Sequence, residues 1–434
     1  MKKFILIILL PGLFIHTGFG SSLVKTNDFN LNTLASTNDT VRYETFAGKV
    51  VDKRNGAPIV FASVFIVGTN LGTVTNSDGE FIIKIPENLL KNYIGITHIG
   101  YGRGTVPIET LKPEENIIEL EILPIPIREV VVTNPDPRNL IEQAIYSIDE
   151  NYPTEPMMMI SFYRETIKKN RNFVGISEAV LDVYKSSYVS QIDNDRIRIF
   201  KGRKGQDVNR MDTVMFKYQG GHYTAFLLDI VKNPGDLLSI DGLDDYEYRM
   251  GGMISIDEKQ TWIVEFDQKT EVEYPLYKGK IYIDTESYAI VGLEFNISPK
   301  RIVTAARYLV QKKPVGMNID VVSGHYLTNY RYVQGKWYLT YVRTEFVLDC
   351  KWNKRLFKST YTVMSEMAVT DITRGNINKF KIRESAKKSD VLIEKVAYFE
   401  DPDFWGDYNV IKPDESIESA ISKLGRRLKR QNND

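Results

Sequence analysis

Residues 71–81 read LGTVTNSDGEF, and the conformation of this stretch decides how the N-terminal part of the chain folds. Asn76, Asp78 and Glu80 alternate as calcium ligands do, but an EF-hand loop is longer and is closed by a Glu. Here an apolar strand pattern resumes at once. An Asp-Gly pair favours a tight turn, because Asp bonds its own backbone and Gly accepts a positive φ. We therefore predict a hairpin turn at residues 77–79 rather than a metal loop.

Short runs rich in Val and Ile lie on both sides of this turn. They are separated by Gly, Pro and Asn, and they read FAGKVVD, IVFASVFIVG, GEFIIKIP, NYIGITHIG and NIIELEIL. Short strands at this regular spacing are typical of a β-sandwich. The sequence predicts such a sandwich over residues 43–133.

The N-terminus has the pattern of a secretory signal peptide. Lys2 and Lys3 precede a short apolar run, and Gly18 and Gly20 give small residues at a cleavage site. We predict a signal peptide at residues 1–20 and a polar, disordered leader at 21–42. No Cys follows the apolar run, which argues against a lipoprotein anchor, and no later segment is apolar enough to predict a transmembrane helix.

The charge balance bears on the class of partner. The 434 residues include 56 Lys and Arg and 56 Asp and Glu, so the formal net charge is zero. Binding to nucleic acid relies on a basic field around the protein. We therefore predict no nucleic-acid partner.

The remainder of the chain, residues 138–430, is predicted to form a second and larger domain. Asp136 and Pro137 have the chemistry of a helix start, and apolar residues follow at the helical period. Long alternating segments such as HYLTNYRYVQGKWYLTYVRTEFVLD then predict antiparallel strands joined by tight turns. The predicted fold class is mainly β (α+β): an N-terminal β-sandwich, then a larger antiparallel β-rich domain with a few helices.

The first of these domains resembles the carboxypeptidase-like regulatory domain, which has a transthyretin-like β-sandwich. The matching positions are Gly48, Val50 and Asp52; Gly56 and Pro58; Ala62 and Val64; Gly68 and Thr69; Gly72 and Thr75; and Asp78, Gly79 and Phe81. Later matches are Ile99-Gly100-Tyr101 and Glu129-Val130-Val131-Val132. The resemblance implies an envelope protein of the Bacteroides type. The meander of the second domain resembles the half-barrel of lipoprotein-sorting carriers.

The family name suggests a peptidase, but the sequence lacks the motifs of the peptidase active sites considered. The sequence has no His-Glu-x-x-His, and residues 175–179, GISEA, lack the last glycine of a Gly-x-Ser-x-Gly elbow. His98, His222 and His325 are too scattered to predict zinc. We predict no metal, no cofactor and no catalytic residues.

Two sets of residues are predicted to bind a ligand or a surface. Arg164 and Glu178 fall on one face of a hairpin if its turn lies near Asn170, where they form either a structural ion pair or an anchor for a ligand head group. The last helix is basic, and it either solvates its charges or rests on anionic lipid. Its cations are Lys423, Arg426, Arg427, Lys429 and Arg430.

These features predict an exported, non-enzymatic protein of the periplasm or outer membrane that acts as an interaction or binding module. Its expected partners are an envelope protein or an apolar or glycan ligand, with association to the outer membrane as a further possibility. One alternative is a periplasmic carrier of lipid or lipoprotein, which predicts a large apolar cavity inside the sheet. The other is a hydrolase assembled from distant residues, which predicts clustered ionisable groups with perturbed pKa values.

Overall fold

The computed structural model describes residues 13–17, 42–123, 135–190, 194–206, 214–218, 221–235, 237–313, 315–375, 377–398 and 404–431. The leader predicted at 21–42 lies outside these residues except for its last position, and the signal peptide predicted at 1–20 is described only at β1, Leu13–Thr17. About 49% of the chain is strand and 16% is helix, which confirms the mainly β fold class.

The N-terminal domain is a sandwich of two sheets. Its strands are β2 Tyr43–Asp52, β3 Ser63–Ile66, β4 Gly72–Val74, β5 Glu80–Pro86, β6 Tyr93–Thr97, β7 Gly104–Pro107 and β8 Asn116–Leu120. One sheet has the order β5-β2-β8 and the other has the order β4-β3-β6-β7. Apolar side chains from alternate positions of both sheets, among them Val50, Val64, Ile83 and Ile96, are fully buried between them. This interdigitated layer is the core that a sandwich requires.

The opening stretch turns as predicted, but it does not form a hairpin. Gly79 has a φ of +75°, and the backbone N–H of Gly79 donates to the carbonyl of Asn76 at 3.1 Å. However, β4 and β5 belong to different sheets, so the turn carries the chain across the sandwich. The side-chain acceptor inside the turn is Asn76, which receives the N–H groups of Asp78 and Glu80 at 2.9 and 2.8 Å.

The second domain is built on one large sheet. Its strands are β9 Met157–Lys169, β10 Asn172–Lys185, β11 Arg196–Gln206, β12 Val214–Tyr218, β13 Tyr246–Ile256, β14 Lys259–Gln268, β15 Tyr277–Asp284, β16 Ile290–Ile297, β17 Val310–Lys312, β18 Met317–Val333, β19 Lys336–Trp352, β20 Ser359–Thr373 and β21 Ala397–Tyr398. Within the described chain, eleven strands follow the order β13-β14-β15-β16-β18-β19-β20-β9-β10-β11-β21. All neighbours are antiparallel except β11 and β21. A separate small sheet has the order β12-β1-β17.

Helices cover one face of the large sheet, which we call the helical face. They are α1 Pro137–Tyr146, α2 Ile148–Asn151, α3 Gly221–Leu227, α4 Ala306–Leu309 and α5 Leu392–Lys395. The last helix, α6 Glu415–Gln431, packs on the other face. Helix α1 begins as predicted, since Asp136 accepts from the N–H of Asn139 at 3.0 Å and Pro137 follows it. No helix in the described ranges is long and apolar enough to cross a membrane.

The N-terminal sandwich and the last segment of the chain cover the opposite face, which we call the sandwich face. We call residues 404–414 the C-terminal strap. Side chains of the sandwich bond this strap at Thr73–Val410 (2.9 Å) and Ser77–Asp414 (2.5 Å), and the backbone N–H of Lys84 donates to the side chain of Asn409 at 2.7 Å. The Asp78 carboxylate accepts from the N–H of Glu415 at 3.0 Å, so the opening turn also holds the start of α6. The two domains therefore form one packed unit.

Candidate functional site

A half-open cavity of about 710 Å³ lies on the helical face, at the edge where α1, α2 and α3 meet β11. Its apolar wall is formed by Ile145 and Ile148 from the first two helices, Ile197 from β11, and Phe226 and Leu227 from α3. These residues point inwards because each belongs to the apolar stripe of an amphipathic element. The volume falls in the range of about 300–1,000 Å³ that is usual for sites of small molecules.

A network of buried charged residues lies at the inner end of this cavity. Lys185, at the end of β10, is fully buried and its Nζ lies 2.7 Å from an Asp195 oxygen and 2.8 Å from an Asp229 oxygen. Asp229 also accepts from the hydroxyls of Tyr188 and Tyr330, each at 2.7 Å. Each carboxylate oxygen of Asp229 thus has a partner, as a buried charge requires. Tyr188 and Asp195 line the cavity and Lys185 and Asp229 hold them from behind, so we call this network the floor of the cavity.

The cavity also carries the ammonium group of Lys232, whose charge is balanced less closely than that of Lys185. Lys232 lines the wall, donates to the carbonyl of Ser187 and lies 5.9 Å from the ring centre of Tyr188. Burial lowers the pKa of Lys232 from its usual value. Burial alone would raise the pKa of Asp195, but the ammonium of Lys185 holds it below its usual value. The site therefore combines an apolar wall, a fixed floor and the cation of Lys232. Its polar lining also includes Asp149, Asp195, Ser190, Asn194 and Asn233.

The predicted pair Arg164 and Glu178 lies on the other face of the sheet. The two residues are directly opposite in the β9–β10 hairpin, whose turn is at Asn170 with a φ of +55°. Arg164 Nε donates to Glu178 at 2.8 Å, Nη1 to Glu366 at 3.0 Å and Nη2 to the carbonyl of Ile411 in the strap at 2.8 Å. Arg164 is 1% exposed and Glu178 is fully buried.

This network extends beyond the predicted pair. Arg203 Nε donates to the second oxygen of Glu178 at 2.9 Å, and Tyr341 donates to Glu366 at 2.9 Å. Burial alone would raise the pKa of Glu178, but the guanidinium groups of Arg164 and Arg203 hold it below its usual value. Arg164 also lines a cavity of about 200 Å³ between the sheet, the turn at Ser77 and the strap. The arrangement clamps three parts of the chain together, and its use as a ligand anchor stays a prediction.

The cations of the last helix are only partly described. Helix α6 packs on β10 through Ile417 and Ala420, against Ile176 and Phe173. Lys423 is exposed. The side chains of Arg426, Arg427, Lys429 and Arg430 lie outside the described side chains. Their contact with lipid stays a prediction.

Two titratable groups on the helical face have strongly perturbed pKa values but do not line the cavity. Glu165 accepts from the hydroxyls of Tyr163 and Ser177, and its burial raises the pKa of the carboxyl to about 8. His222 is buried with its ring edge against Tyr163, and neither ring nitrogen has a hydrogen-bond partner. Burial lowers the pKa of His222 to about 4. Both groups are neutral at pH 7 in the folded protein.

These two groups give opposite slopes of stability against pH. Between about 4.5 and 8, folded Glu165 keeps a proton that the unfolded chain has lost, so the free energy of unfolding falls as the pH rises. Between about 4 and 6.5, the unfolded chain protonates His222 and the folded chain does not, so the free energy of unfolding falls as the pH drops. The two contributions offset each other up to about pH 6.5, and above it Glu165 acts alone.

Replacing Glu165 by Gln is expected to raise the free energy of unfolding by about 2–3 kcal/mol at pH 8 and by much less at pH 5. Gln keeps an acceptor for Tyr163 and carries no ionisable proton. Thermal unfolding of both proteins between pH 5 and 8 measures the difference. Glu286→Gln is the control, since Glu286 is 84% exposed. An equal gain at both pH values would contradict the assignment of a neutral, buried carboxyl.

No metal centre is present among the residues that the structure describes, where no group of three or more His, Cys, Asp or Glu could hold an ion. The charge network behind the cavity was not recognised from the sequence, because Lys185, Asp195 and Asp229 come from three separate segments. One signal was available: Asp229 is a lone acid within the apolar run FLLDIV. A charge in such a run requires a buried partner.

Comparisons were made with solved structures and with protein sequences. Three solved structures are similar to the chain: a DUF1329 family protein from Desulfovibrio piger, an outer membrane lipoprotein-sorting protein domain from Vibrio parahaemolyticus, and a LolA superfamily protein from Nitrosomonas europaea. Their identities are 12, 10 and 9%, and the matches cover 54, 56 and 58% of this chain and 94, 96 and 98% of theirs. The TM-scores are 0.23, 0.24 and 0.19, which are too low to support a conclusion about the function of this chain.

The sequence comparisons concern the N-terminal domain. No curated protein matches the chain in sequence. The family model of the CarboxypepD_reg-like domain matches residues 46–132, which include the opening turn. The N-terminal sandwich therefore has the carboxypeptidase-regulatory-like fold that its motifs predict.

Proposed function

We propose that the protein is an exported binding protein of the cell envelope, and that its second domain holds an amphipathic molecule with an apolar body and an anionic head. The observation that carries the proposal is the cavity of about 710 Å³ on the helical face. Its aliphatic and aromatic wall suits an apolar body, and Lys232 suits an anionic head. Retention of such a molecule is also what the alternative of a periplasmic carrier requires.

Binding is favoured over catalysis by the position of the perturbed groups. Glu165 and His222 are the kind of residues that a hydrolase would use. Neither residue lines the cavity, and the two carboxyl oxygens of Glu165 already accept hydrogen bonds from Tyr163 and Ser177. In the cavity itself, Asp195 is bound to Lys185. The charged groups therefore serve to hold the shape of the cavity and to anchor the ligand, and we propose no reaction at this site.

Narrowing the cavity with a larger side chain is expected to weaken binding about tenfold, which corresponds to about 1.4 kcal/mol. Leu227→Trp is suited to this test, because Leu227 lines the cavity and is only half-buried, so the larger ring enters the cavity rather than the core. Titration of the protein with a fluorescent long-chain fatty acid measures the affinity. Binding that does not saturate, or equal affinity in both proteins, would contradict the proposal.

The cation is tested separately. Lys232→Gln is expected to weaken binding of the fatty acid several-fold while binding of the corresponding long-chain alcohol stays unchanged, since only the acid carries a charge. Lys91→Gln is the matched control, because Lys91 is exposed on the sandwich and does not line this cavity. Equal effects of the two substitutions would remove Lys232 from the site.

Export is tested by the N-terminus of the protein. Cleavage after Gly20 would leave a chain that begins at Ser21 and lacks β1, whose residues Leu13–Thr17 pair with β12 and β17. The intact mass of the protein from its native cell distinguishes the two forms. A mass that begins at Ser21 supports export, and a mass that includes Met1 contradicts cleavage.

A further inference from the structure

Two connections lie side by side at one end of the large sheet. The first joins β17 to β18 and includes Val315 and Gly316, and the second is the tip of the β19–β20 hairpin at residues 353–358. They are joined because Met317 pairs with Trp352 and because the N–H of Asn353 donates to the carbonyl of Gly316 at 2.8 Å. The end of two long paired strands therefore presents both connections to solvent together.

Large apolar side chains are exposed on both connections. Val315 is 100% exposed, Leu356 is 82% exposed and Phe357 is 80% exposed. Single exposed apolar residues are common, but hairpin tips are usually built from Gly, Asn, Asp, Pro and Ser. The Leu-Phe pair at the tip and the exposed Val beside it therefore form a small apolar surface that contributes nothing to the core of the protein.

Cations surround this apolar point. Residues 353–358 read NKRLFK, with three cations and no acid. The exposed cations on the two connections and the adjoining strand are Lys313, Lys351, Lys354, Arg355 and Lys358. Asp349 faces Lys358 and accepts from it, and Asp320 pairs across from Asp349. In a chain of zero net charge, this end of the sheet is locally basic.

The neighbouring hairpin adds to the same surface. The N–H of Asn170, in the β9–β10 turn, donates to the carbonyl of Thr360 at 2.6 Å, so this turn lies beside the β19–β20 tip. It carries Lys169 and the exposed Arg171. The basic surface therefore spans two hairpins. We call Val315, Leu356 and Phe357, with the cations of residues 353–358, the basic apolar tip.

We propose that the basic apolar tip docks the protein on an anionic lipid surface. Leu and Phe side chains enter the boundary between headgroups and acyl chains, while Lys and Arg beside them contact lipid phosphates. Three apolar side chains are too few for the core of a stable protein interface, which buries about 800 Å² on each partner. They are sufficient for weak and reversible membrane binding when cations assist.

The position of the tip sets the orientation of the bound protein. The β9–β10 turn beside the tip and Lys185 at the cavity floor lie at opposite ends of β10, which has 14 residues. A strand of this length spans roughly 40 Å. A protein docked through the tip therefore holds its cavity away from the lipid surface.

Sedimentation of the purified protein with vesicles tests the proposal. Vesicles of phosphatidylcholine alone are compared with vesicles that also contain phosphatidylglycerol, at low and high salt. We expect binding to the anionic vesicles at least fivefold tighter than to the neutral ones, and weaker binding in high salt because screening reduces the attraction. No binding to the anionic vesicles would overturn the proposal.

Variants locate the contact. L356S/F357S is expected to lose at least tenfold in affinity and K354Q/R355Q several-fold, with unchanged thermal unfolding because these side chains are exposed. The controls are V303S, since Val303 is 88% exposed elsewhere, and K91Q/K112Q on the sandwich. Equal binding by L356S/F357S and V303S would overturn the proposal. Vesicle binding that depends on the cations of α6 and not on those of the tip would also overturn it. Binding only to native membranes, abolished when protease treatment removes their proteins, would assign the tip to a protein partner instead.

Discussion

Replacing Arg164 by Met is expected to lower the free energy of unfolding by about 3–5 kcal/mol. The guanidinium of Arg164 bonds Glu178, Glu366 and the carbonyl of Ile411, and its side chain is 1% exposed. Met fills much of the same volume but leaves both carboxylates with less compensation inside the protein. The loss is large because a buried charge without its partner keeps the full cost of its desolvation.

The same substitution is expected to loosen the C-terminal strap, because Arg164 binds its Ile411 carbonyl directly. Urea unfolding measures the stability, and limited proteolysis of the native protein measures access to residues 404–414. Arg249→Met is the matched control: Arg249 is 77% exposed and pairs with Glu265, so its loss is expected to cost no more than about 1 kcal/mol. Equal losses in the two variants, with an unchanged digestion pattern, would contradict the clamp.

Replacing Lys185 by Met is expected to cost about 3–5 kcal/mol for the same physical reason on the other face of the sheet. Lys185 and Asp229 are both fully buried, and Asp195 depends on Lys185 for the low pKa of its carboxyl. Without the ammonium, two carboxylates face each other across the floor of the cavity. Lys278→Met is the control, because Lys278 is 54% exposed and its nitrogen lies 3.8 Å from Asp267.

A double variant separates lost charge balance from lost packing. Asp229→Asn added to Lys185→Met removes the charge of Asp229 and keeps an acceptor for one of the two hydroxyls, while the amide NH2 faces the oxygen of the other. We expect it to recover about 1–2 kcal/mol of the loss, which urea unfolding of the single and double variants measures as a coupling energy. Losses that simply add would show that the network contributes by packing alone.

Local chemistry allowed much of the fold to be predicted from the sequence. The positive φ of Gly79, the cap at Asp136 and the turn at Asn170 each depend on neighbouring residues only. The facing positions of Arg164 and Glu178 follow from that last turn, because two strands joined by a known turn have a fixed register. The alternating segment HYLTNYRYVQGKWYLTYVRTEFVLD likewise indicated antiparallel strands, which are β18 and β19.

Contacts between distant segments could not be predicted in this way. The turn at residues 77–79 was expected to join two paired strands, but the sheet to which each strand belongs depends on the whole sandwich. Asp78 and Glu415, which bond each other, are 337 positions apart. The cavity floor likewise needs β10 and the segments that contain Asp195 and Asp229, and a single sequence does not show their proximity.

The most direct test of the proposed function is native mass spectrometry of the protein, purified under mild conditions from its native envelope. The proposal predicts a stoichiometric amphipathic adduct that Lys91→Gln retains in full and that Leu227→Trp retains in a much smaller fraction, because its larger side chain narrows the cavity. A protein without any adduct, or an adduct that Leu227→Trp retains in full, would contradict a binding site on the helical face.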